Sequence, residues 1–284
     1  MVKPAAKREI VTWLKEVFEA STIRSCRLVM LNRSTFYEKL KPRNHDYLKI
    51  RIRDIASARP RFGIRRVWAV LRRDGLKVNK KLVRKIYKEL GLCLRWQKSK
   101  RRISHLRIIP APASRPNQRW SLDFMSDKLS SGAKYRILNV IDIYSRKCLG
   151  CSVSRSFPSA KVTNELDKFA RKAGGYPEVI TLDNGTEFTS LIFDEWARKH
   201  GIKLDFITPG RPCENGFIES FNGRLRDECL EFETFRTLDE AQLKLSLWQK
   251  DYNYVRPHTS LKDQTPSKVW QSFLKELERR QNVS

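Results

Sequence analysis

The sequence predicts an α/β protein in which a mixed sheet with flanking helices follows a series of basic, all-helical segments. Two observations support this prediction. From residue 119 onward, apolar runs of strand length alternate with helical periods, whereas earlier apolar residues recur at helical spacing. The charge changes at the same place. Residues 1–119 hold 33 Lys and Arg against 8 Asp and Glu, a net charge of +25, and the whole 284-residue chain carries +27.

The composition indicates a folded protein that binds a polyanion. Hydrophobic residues make up 40% of the chain, which is too many for a disordered protein. No apolar run approaches the roughly 18–20 residues that cross a bilayer, and the N-terminus lacks a signal-peptide pattern. We therefore expect a soluble, cytoplasmic protein with no membrane partner. The basic first part predicts nucleic acid as its partner, because Lys and Arg neutralise phosphates and release counterions; a solvated basic surface is the alternative.

Residues 1–42 are predicted to form a first helix-turn-helix segment. The pattern places one apolar stripe on the first helix, made of Ile10, Leu14, Val17 and Phe18. A turn near residues 31–32 then leads to a short helix with Ser34 as its N-cap candidate.

Residues 43–95 are predicted to form a second helical DNA-binding segment. Asn79 is a candidate N-cap for its last helix, which Gly91 closes. In a helix-turn-helix the start of that helix points at the major groove and its phosphates. The candidate DNA contacts are Lys80, Lys81 and Arg84 at that start, with Arg65 and Arg66 on the outer face of the preceding helix. An ordinary three-helix bundle with a charged outside is the alternative. Residues 96–118 read as a basic linker containing prolines.

Residues 119–235 are predicted to form the sheet domain, and residues 236–284 a C-terminal helical extension. Three consecutive strands come first, in WSLDFMSDKL, YRILNVIDIYSR and KCLGCSVSRS. A helix, the strand PEVITLDNG, a second helix, the strand KLDFITPG and a third helix follow, the last with Asn215 as its N-cap candidate. A three-strand meander followed by this alternation predicts a mixed five-stranded sheet packed against helices.

Three acids in this domain are candidates for one metal site. Asp123 lies inside the first strand, Asp183 ends the fourth, and Glu219 lies in the last helix. The first strand of a meander can be central, where the next parallel strand joins it, so the three side chains could converge. Converging carboxylates repel one another unless a divalent cation such as Mg²⁺ neutralises them. Taken singly, Asp183 could cap a turn and Glu219 could be a solvated helix residue.

Other residues with chemical potential have simpler explanations. We interpret Asp142 as a cap at a turn or strand end, and Glu187 as a supporting or structural acid. Cys148 and Cys151 form a CxxC pair, but zinc needs two more ligands at a useful spacing, so they are predicted to be small packing residues. His258, with no nucleophile nearby in the sequence, is more typical of a structural histidine.

Several motifs together resemble a known family. The set WSLDF, VIDIYSRK, LDNGTEF and PGRPCENGFIESFNGRLRDECL resembles the catalytic core shared by retroviral integrases and insertion-sequence transposases. The spacing agrees, since 35 residues separate Asp183 from Glu219. The stretches RPRFGIRRVWAVLRRDGLKVNKKLVRKIYKELGL and YNYVRPHTSLKDQTPSKVW resemble the family's DNA-binding segment and C-terminal signature. Nearly the whole chain therefore resembles the second-frame subunit of IS-three family transposases.

The resemblance implies an RNase H-like catalytic core with a retroviral-integrase-type acid triad. It assigns metal ligation and catalysis to Asp123, Asp183 and Glu219, with Mg²⁺ or Mn²⁺, in two copies, as cofactor. It also points to Arg226 as a DNA contact, and we expect Asn222 to be a second one. Seven residues are about two helical turns, so Arg226 shares a helix face with Glu219 and with Asn222 between them. A guanidinium there could grip a phosphate, and a surface ion pair is the alternative.

The resemblance further implies the activity and the partners. It predicts metal-dependent cleavage and strand transfer of double-stranded DNA at the ends of a mobile element, by a homo-oligomer in the bacterial cytoplasm that is nucleoid-associated when bound to DNA. A first-frame helper protein, separate or fused, would assist. The alternative is a DNA-binding regulatory subunit with an idle core. A nuclease that resolves junctions or cuts RNA strands is less compatible with the acid spacing.

Overall fold

The computed structural model describes residues 4–37, 44–93, 113–208 and 215–281. It divides into two compact units, Met1–Leu48 and Lys49–Ser284. The predicted linker lies outside the described residues as far as residue 112, as does the turn-rich stretch 209–214 before the last helix of the core. The finer domain bounds, at residues 42, 95, 118 and 235, stay predictions.

The first unit contains three short helices around a small core. They are α1 (Pro4–Phe18), α2 (Thr22–Leu28) and α3 (Arg33–Tyr37), and the buried apolar residues are Val11, Cys26 and Leu31. The predicted helix is present, but its apolar stripe is not part of this core, because Ile10, Val17 and Phe18 are exposed and Leu14 is half-buried. The physical reason is size: α2 and α3 have seven and five residues, and they build a core around Val11 only.

The prediction of Ser34 as an N-cap is wrong, because α3 begins at Arg33 and includes Ser34. Asn32, the residue before the helix, has a side chain that accepts a hydrogen bond from the Ser34 amide at 3.3 Å. Asn and Ser are comparable N-cap residues, so local preference did not distinguish the two positions.

The second unit begins with a helical segment made of α4 (Asp46–Ala58, which starts just before the unit), α5 (Ile64–Arg73) and α6 (Lys80–Glu89). The predicted cap of α6 is confirmed, since the Asn79 side chain accepts a hydrogen bond from the Lys81 amide at 2.8 Å. The indole of Trp68 donates to the carbonyl of Val78 at 3.0 Å, which holds the turn between α5 and α6. The apolar faces of the three helices bury Ile52, Ile55, Val67, Leu71, Val83 and Ile86.

The predicted mixed five-stranded sheet is confirmed. Its strands are β1 (Arg119–Lys128), β2 (Lys134–Asp142), β3 (Cys148–Ser154), β4 (Val179–Leu182) and β5 (Lys203–Phe206), in the spatial order β3-β2-β1-β4-β5. The meander β1-β2-β3 is antiparallel, β4 pairs in parallel with β1, and β5 pairs in parallel with β4. The connecting helices are α7 (Ser159–Ala173), α8 (Leu191–Lys199) and α9 (Gly216–Leu225). The first strand is therefore central, as the meander predicted.

Side chains alternate between the two faces of the sheet, so each face has its own core. On one face, Trp120, Leu122 and Leu138 pack with apolar residues of α7 and α8. On the other face, Met125 and Ile137 pack with residues of α9 and of the C-terminal helices. Asp123 belongs to this second face, under α9.

The C-terminal extension contains α10 (Leu238–Lys250) and α11 (Pro266–Gln281), with a π-helical turn at Asp251–Val255. Its side chains cover the edge strand β3. Gln242 and Asn253 each both donate to and accept from the β3 backbone, at 2.8–2.9 Å, and Gln249 donates to the Cys148 carbonyl at 3.0 Å. The backbone groups of an edge strand otherwise stay open to pairing with another chain. Throughout the described ranges, each helix is too short or too polar to span a membrane.

Candidate active site

Asp123 lies where the central strand leaves its parallel neighbour. The pairing of β1 with β4 ends at Ser121 and Thr181, two residues before Asp123. On the other side β1 continues along β2, and Asp123 is directly opposite Asn139. One carboxylate oxygen, Oδ1, accepts from the Phe124 amide at 2.8 Å. The side chain is partly buried beneath α9.

Asp183 follows the carboxyl end of β4 directly. The buried residues Ile180 and Leu182 hold that strand in the core. Oδ1 of Asp183 accepts from the Gly185 amide at 3.1 Å, and Nδ2 of Asn184 donates to the Ile207 carbonyl at 3.1 Å. A Cβ added to Gly185 would lie 3.1 Å from Oδ1 of Asp183, so glycine permits this tight turn around the carboxylate. The turn presents Asp183 on the side of the sheet toward which β1 and β4 run.

Glu219 reaches the same region from α9. This helix packs across β1 and β2 and continues into a π-helical turn at Arg226–Leu230. A groove of about 420 Å³ lies between the helix and the strand and is lined by Asp123, Phe124, Met125, Ser126, Glu219, Asn222, Gly223 and Arg226. The structure thus brings Asp123 and Glu219 to one groove, with Asn222 and Arg226 along the same helix face, as the helical spacing predicted.

The electrostatic environment of Asp123 favours its protonated form. Burial raises the pKa of Asp123, and the negative charges of Asp183 and Glu219 raise it further. Hydrogen bonds from the Phe124 amide and from Asn222 act in the opposite direction, and the net pKa is about 6. A carboxyl group with this pKa is an unusual group at neutral pH and is typical of functional sites.

A divalent cation fits the chemistry of these donors. The three side chains are carboxylates, the oxygen ligands that Mg²⁺ and Mn²⁺ prefer, and a cation would relieve the repulsion that raises the pKa of Asp123. Within the described residues, however, no group of three or more His, Cys, Asp or Glu is already arranged to hold a metal ion. The acids are neighbours without being a closed ligand set, and their ligand role stays a prediction.

The hydrogen-bonding groups of the Asn222 side chain already have partners within the protein. Its side chain is 9% exposed, and its Nδ2 donates to Oδ2 of Asp123 at 2.7 Å. Its Oδ1 accepts from Nδ2 of Asn139 at 2.8 Å. Arg226, by contrast, is exposed and makes no ion pair with any residue that the structure describes. Of the two predicted DNA contacts on this helix, Arg226 is the one with a free charged group.

The predicted DNA contacts of the helical segment fall into two groups. Lys80, Lys81 and Arg84 are exposed near the start of α6. Arg65 and Arg66 have protein partners instead: Nε of Arg65 lies 3.1 Å from both carboxylate oxygens of Asp263, and Nη1 of Arg66 lies 3.6 Å from Oε1 of Glu228. Whether any of these five residues touches DNA stays a prediction.

The interpretation of Asp142 as a cap is confirmed. It ends β2 and is completely buried, and its carboxylate accepts from the Ser145 amide at 2.7 Å, the Ser145 hydroxyl at 2.6 Å and the Asn117 amide at 3.1 Å. Glu187 pairs with Arg136. Burial alone would raise the pKa of Glu187, but the hydrogen bond and charge of Arg136 outweigh it and lower the pKa.

Cys148 and Cys151 are buried packing residues in β3, as predicted, with 3.4 Å between their sulfur atoms. His258 is 3% exposed, and its ring stacks edge-to-face on Tyr252. Burial and the neighbouring arginines lower its pKa to about 3, so it stays neutral at physiological pH.

The predicted cap at Asn215 requires a correction. Asn215 occupies the N-cap position of α9 but makes no capping hydrogen bond with its side chain. Its Oδ1 accepts from the Ser121 hydroxyl, and its Nδ2 donates to the Leu122 carbonyl at 3.3 Å. These bonds to β1 replace the local cap and fasten the start of α9 to the strand that carries Asp123.

The sequence reasoning missed Asn139. It is a completely buried amide on β2, directly opposite Asp123 and bonded to Asn222. A signal was present, because Asn139 falls between Ile137 and Ile141 at the two-residue period of a buried face. An amide at such a position is uncommon unless it has a hydrogen-bond partner.

Comparisons with known proteins concern the family and the fold of this chain. Residues 113–212 and 200–266 match family models described as integrase core domain, and residues 43–100 match an HTH-like domain. A 31.7 kDa protein of insertion element IS407 from Burkholderia multivorans is 37% identical over 255 residues, which cover 89% of this chain and 92% of that protein. The putative transposase InsK of IS150 from Escherichia coli is 29% identical, over 84% of this chain and 90% of that protein.

Among solved structures, a chain of the simian T-cell lymphotropic virus intasome, in complex with a regulatory subunit of PP2A, matches with a TM-score of 0.50. The two chains are 19% identical, and the match covers 68% of this chain and 67% of that one. At this level of identity the likeness concerns the fold alone, and it agrees with an RNase H-like core.

Proposed function

Because this chain belongs to the integrase-core family of insertion-element transposases, as a protein like the second-frame subunit of the IS-three family, we propose that it cuts and joins DNA at the ends of a mobile element. Its core is a polynucleotidyl transferase of the DDE type, which is named for two aspartates and a glutamate. The observation that carries the proposal is the position of Asp123. Burial and two neighbouring acids raise the pKa of this side chain to about 6.

In this proposal Asp123, Asp183 and Glu219 hold the divalent ions. Two Mg²⁺ or Mn²⁺ ions, when bound, would clamp the attacking and leaving oxygens of the phosphodiester and neutralise the charge that develops there. The protein orients the carboxylates for this task. Phe124 and Asn222 each hold one oxygen of Asp123, and the Gly185 amide holds Oδ1 of Asp183.

The charged groups around the groove would position the DNA. The exposed guanidinium of Arg226, at the end of α9, can bind a phosphate with two parallel hydrogen bonds. Lys80, Lys81 and Arg84 are exposed near the N-terminus of α6, the helix that a helix-turn-helix protein places in the major groove. Arg65 and Arg66 could contribute only by sharing or leaving Asp263 and Glu228.

The partners proposed for this activity are double-stranded DNA, further copies of the chain on that DNA, and a first-frame helper protein. A solved chain with a similar fold is part of an intasome, and this supports an assembled state. The net charge of +25 on residues 1–119 supports the DNA partner, because each phosphate contact by Lys or Arg releases counterions.

The test is a cleavage and joining assay on a labelled duplex that carries a matching element end. We expect 3′-end nicking or strand transfer with Mg²⁺ or Mn²⁺ and none with chelator. The Asp183→Asn variant should bind the duplex as wild type does and yield no product. Product from wild type in chelator, or undiminished product from Asp183→Asn, would contradict the proposed site.

The same assay separates the alternative roles. Binding without chemistry, by wild type and variant alike and also with the first-frame helper added, would identify a regulatory subunit with an idle core. Cleavage without any joined product would indicate a nuclease. Joined products that appear only with the helper present would show that the core acts after assembly.

A further inference from the structure

Asn139 is a polar residue in a strand that otherwise has a strongly apolar character. Its side chain is completely buried, and its neighbours Ile137, Leu138, Val140 and Ile141 are buried hydrophobic residues. An amide loses its hydrogen bonds to water in such a place, so its burial is unfavourable unless the protein replaces them. The bonds that Asn139 makes should therefore explain its presence.

Asn139 makes its side-chain bond toward the acid groove. Its Nδ2 donates to Oδ1 of Asn222 at 2.8 Å, and Nδ2 of Asn222 donates to Oδ2 of Asp123 at 2.7 Å. Oδ1 of Asn139 has no hydrogen-bond partner among the described residues. If this position served packing alone, the fold would be more stable with an apolar side chain, or with an amide whose two ends both had hydrogen-bond partners. Asn139 keeps one end unsatisfied while the other bonds to the residue that holds Asp123.

The bond from Asn139 and the bond to Asp123 engage opposite ends of the Asn222 side chain and support the same orientation. A carboxamide can present either its oxygen or its NH₂ group, because a half-turn exchanges the two. With its oxygen held by Asn139, Asn222 must present the NH₂ group to Asp123. The reverse orientation would set an amide oxygen against a carboxylate oxygen, and two acceptors repel each other.

The two bonds to Asp123 leave its other lone pairs free. Oδ1 is held by the Phe124 amide and Oδ2 by Asn222, and each carboxylate oxygen can accept a second interaction. The carboxylate is thus held in one orientation before any cation arrives. Residues that orient a metal ligand in this way commonly change metal affinity 10- to 100-fold when they are replaced.

We propose that Asn139 is a positioning residue of the catalytic site, which acts through Asn222 to hold Asp123 in the orientation that binds the divalent ion. This inference rests on the proposed function, because it assumes that Asp123 is a ligand. It assigns a role to a side chain that touches neither the ion nor DNA.

The test measures metal affinity directly, as the Mn²⁺ concentration that half-saturates the protein in calorimetric titration of the full chain. We expect Asn139→Leu to need about tenfold more Mn²⁺ than wild type, with cleavage restored at saturating Mn²⁺. Asn139→Val, a smaller residue suited to a strand, should behave alike and serves if the leucine variant does not fold. The double variant with Asn222→Leu should be no worse than Asn222→Leu alone, because both residues act through one bond chain.

Asn253→Leu is the matched control. Asn253 is a buried amide with two bonds to the backbone of β3, which is two strands away from β1 and Asp123. Its loss should lower the melting temperature and leave the Mn²⁺ affinity unchanged. Wild-type affinity in both Asn139 variants would overturn the inference while the proposed function stands. A wild-type chain that neither binds Mn²⁺ nor cleaves DNA would overturn both.

Discussion

Two regions of the second unit contain several acidic side chains, and the regions differ in whether these acids have arginine partners. In the groove, Asp123 is close enough to Asp183 and Glu219 for their charges to raise its pKa, and it makes no ion pair with any residue that the structure describes. Elsewhere, four acids of the C-terminal part each pair with an arginine. This arginine–acid junction consists of the pairs Arg59–Asp251, Arg61–Glu231, Arg65–Asp263 and Arg66–Glu228, together with Arg256, which also binds Glu228.

The junction is an arrangement that stabilises the fold. Arg256 is 2% exposed, and its Nε and Nη2 donate to both oxygens of Glu228 at 2.8 and 2.6 Å. Glu228 lies on the π-helical turn that continues α9, and Arg66 lies on α5, so the pair connects the helical segment to the helix that carries Glu219. In the groove, Asp123 has hydrogen-bond partners but no described ion-pair partner, which is the state of an acid that a cation could bind.

The largest expected effect is the loss of activity when the groove loses an acid. Glu219→Gln keeps the size of the side chain and removes one proposed ligand charge, so cleavage of the labelled duplex should fall at least about 10³-fold, on the scale of a lost electrostatic contact in a catalytic site. Asp194→Asn, an exposed acid on α8, is the control and should cleave normally. An equal loss of cleavage in both variants would contradict a catalytic role specific to the acids of the groove.

The next effect concerns the stability of the junction. Glu228→Gln leaves the buried guanidinium of Arg256 without its counter-charge, and the free energy of unfolding should fall by about 3–5 kcal/mol. Glu231→Gln is the control: Arg61 and Glu231 are each 46% exposed, so the loss should stay below about 1 kcal/mol. Urea unfolding followed by circular dichroism measures both, and similar losses would remove the distinction between buried and surface pairs.

A third prediction uses the raised pKa of Asp123. Below pH 6 this carboxyl holds a proton that a divalent ion must displace, so the Mn²⁺ concentration for half-saturation should rise about tenfold for each pH unit below 6. Above pH 6 the carboxylate is already ionised and the affinity should be nearly constant. Calorimetric titrations between about pH 5 and pH 8 test this. A constant affinity down to pH 5 would show that Asp123 titrates near its ordinary value.

The smallest effect has the opposite sign to that in the junction. Asp183 is one of the charges that raise the pKa of Asp123, so Asp183→Asn should relieve repulsion and raise the free energy of unfolding by up to about 1 kcal/mol in chelator at pH 7. Added salt should shrink the gain, since it screens exposed charges. Thermal unfolding at low and high salt measures it. A variant less stable than wild type would place Asp183 among the structural acids.

The sequence alone determined the fold class and the elements that carry the acids. Period-two alternation in the strands, the apolar faces of the helices and short capping signals such as Asn79 are local, so residues close in the chain suffice to predict them. The three acids could also be singled out from the sequence. Each either lies in or directly after an apolar strand, or has the sequence spacing that is typical of the family. Their role as a ligand set stays a prediction.

The tertiary structure decided which polar groups find each other. Asn215 could have capped α9 locally, but it bonds to β1, more than ninety residues away. Arg65 and Arg66 look like DNA contacts in the sequence, and their acids lie 198 and 162 residues further along the chain. Asn139 and Asn222 meet only because α9 crosses β2. In each case several partners are equally acceptable locally, and the packing of distant elements selects one of them.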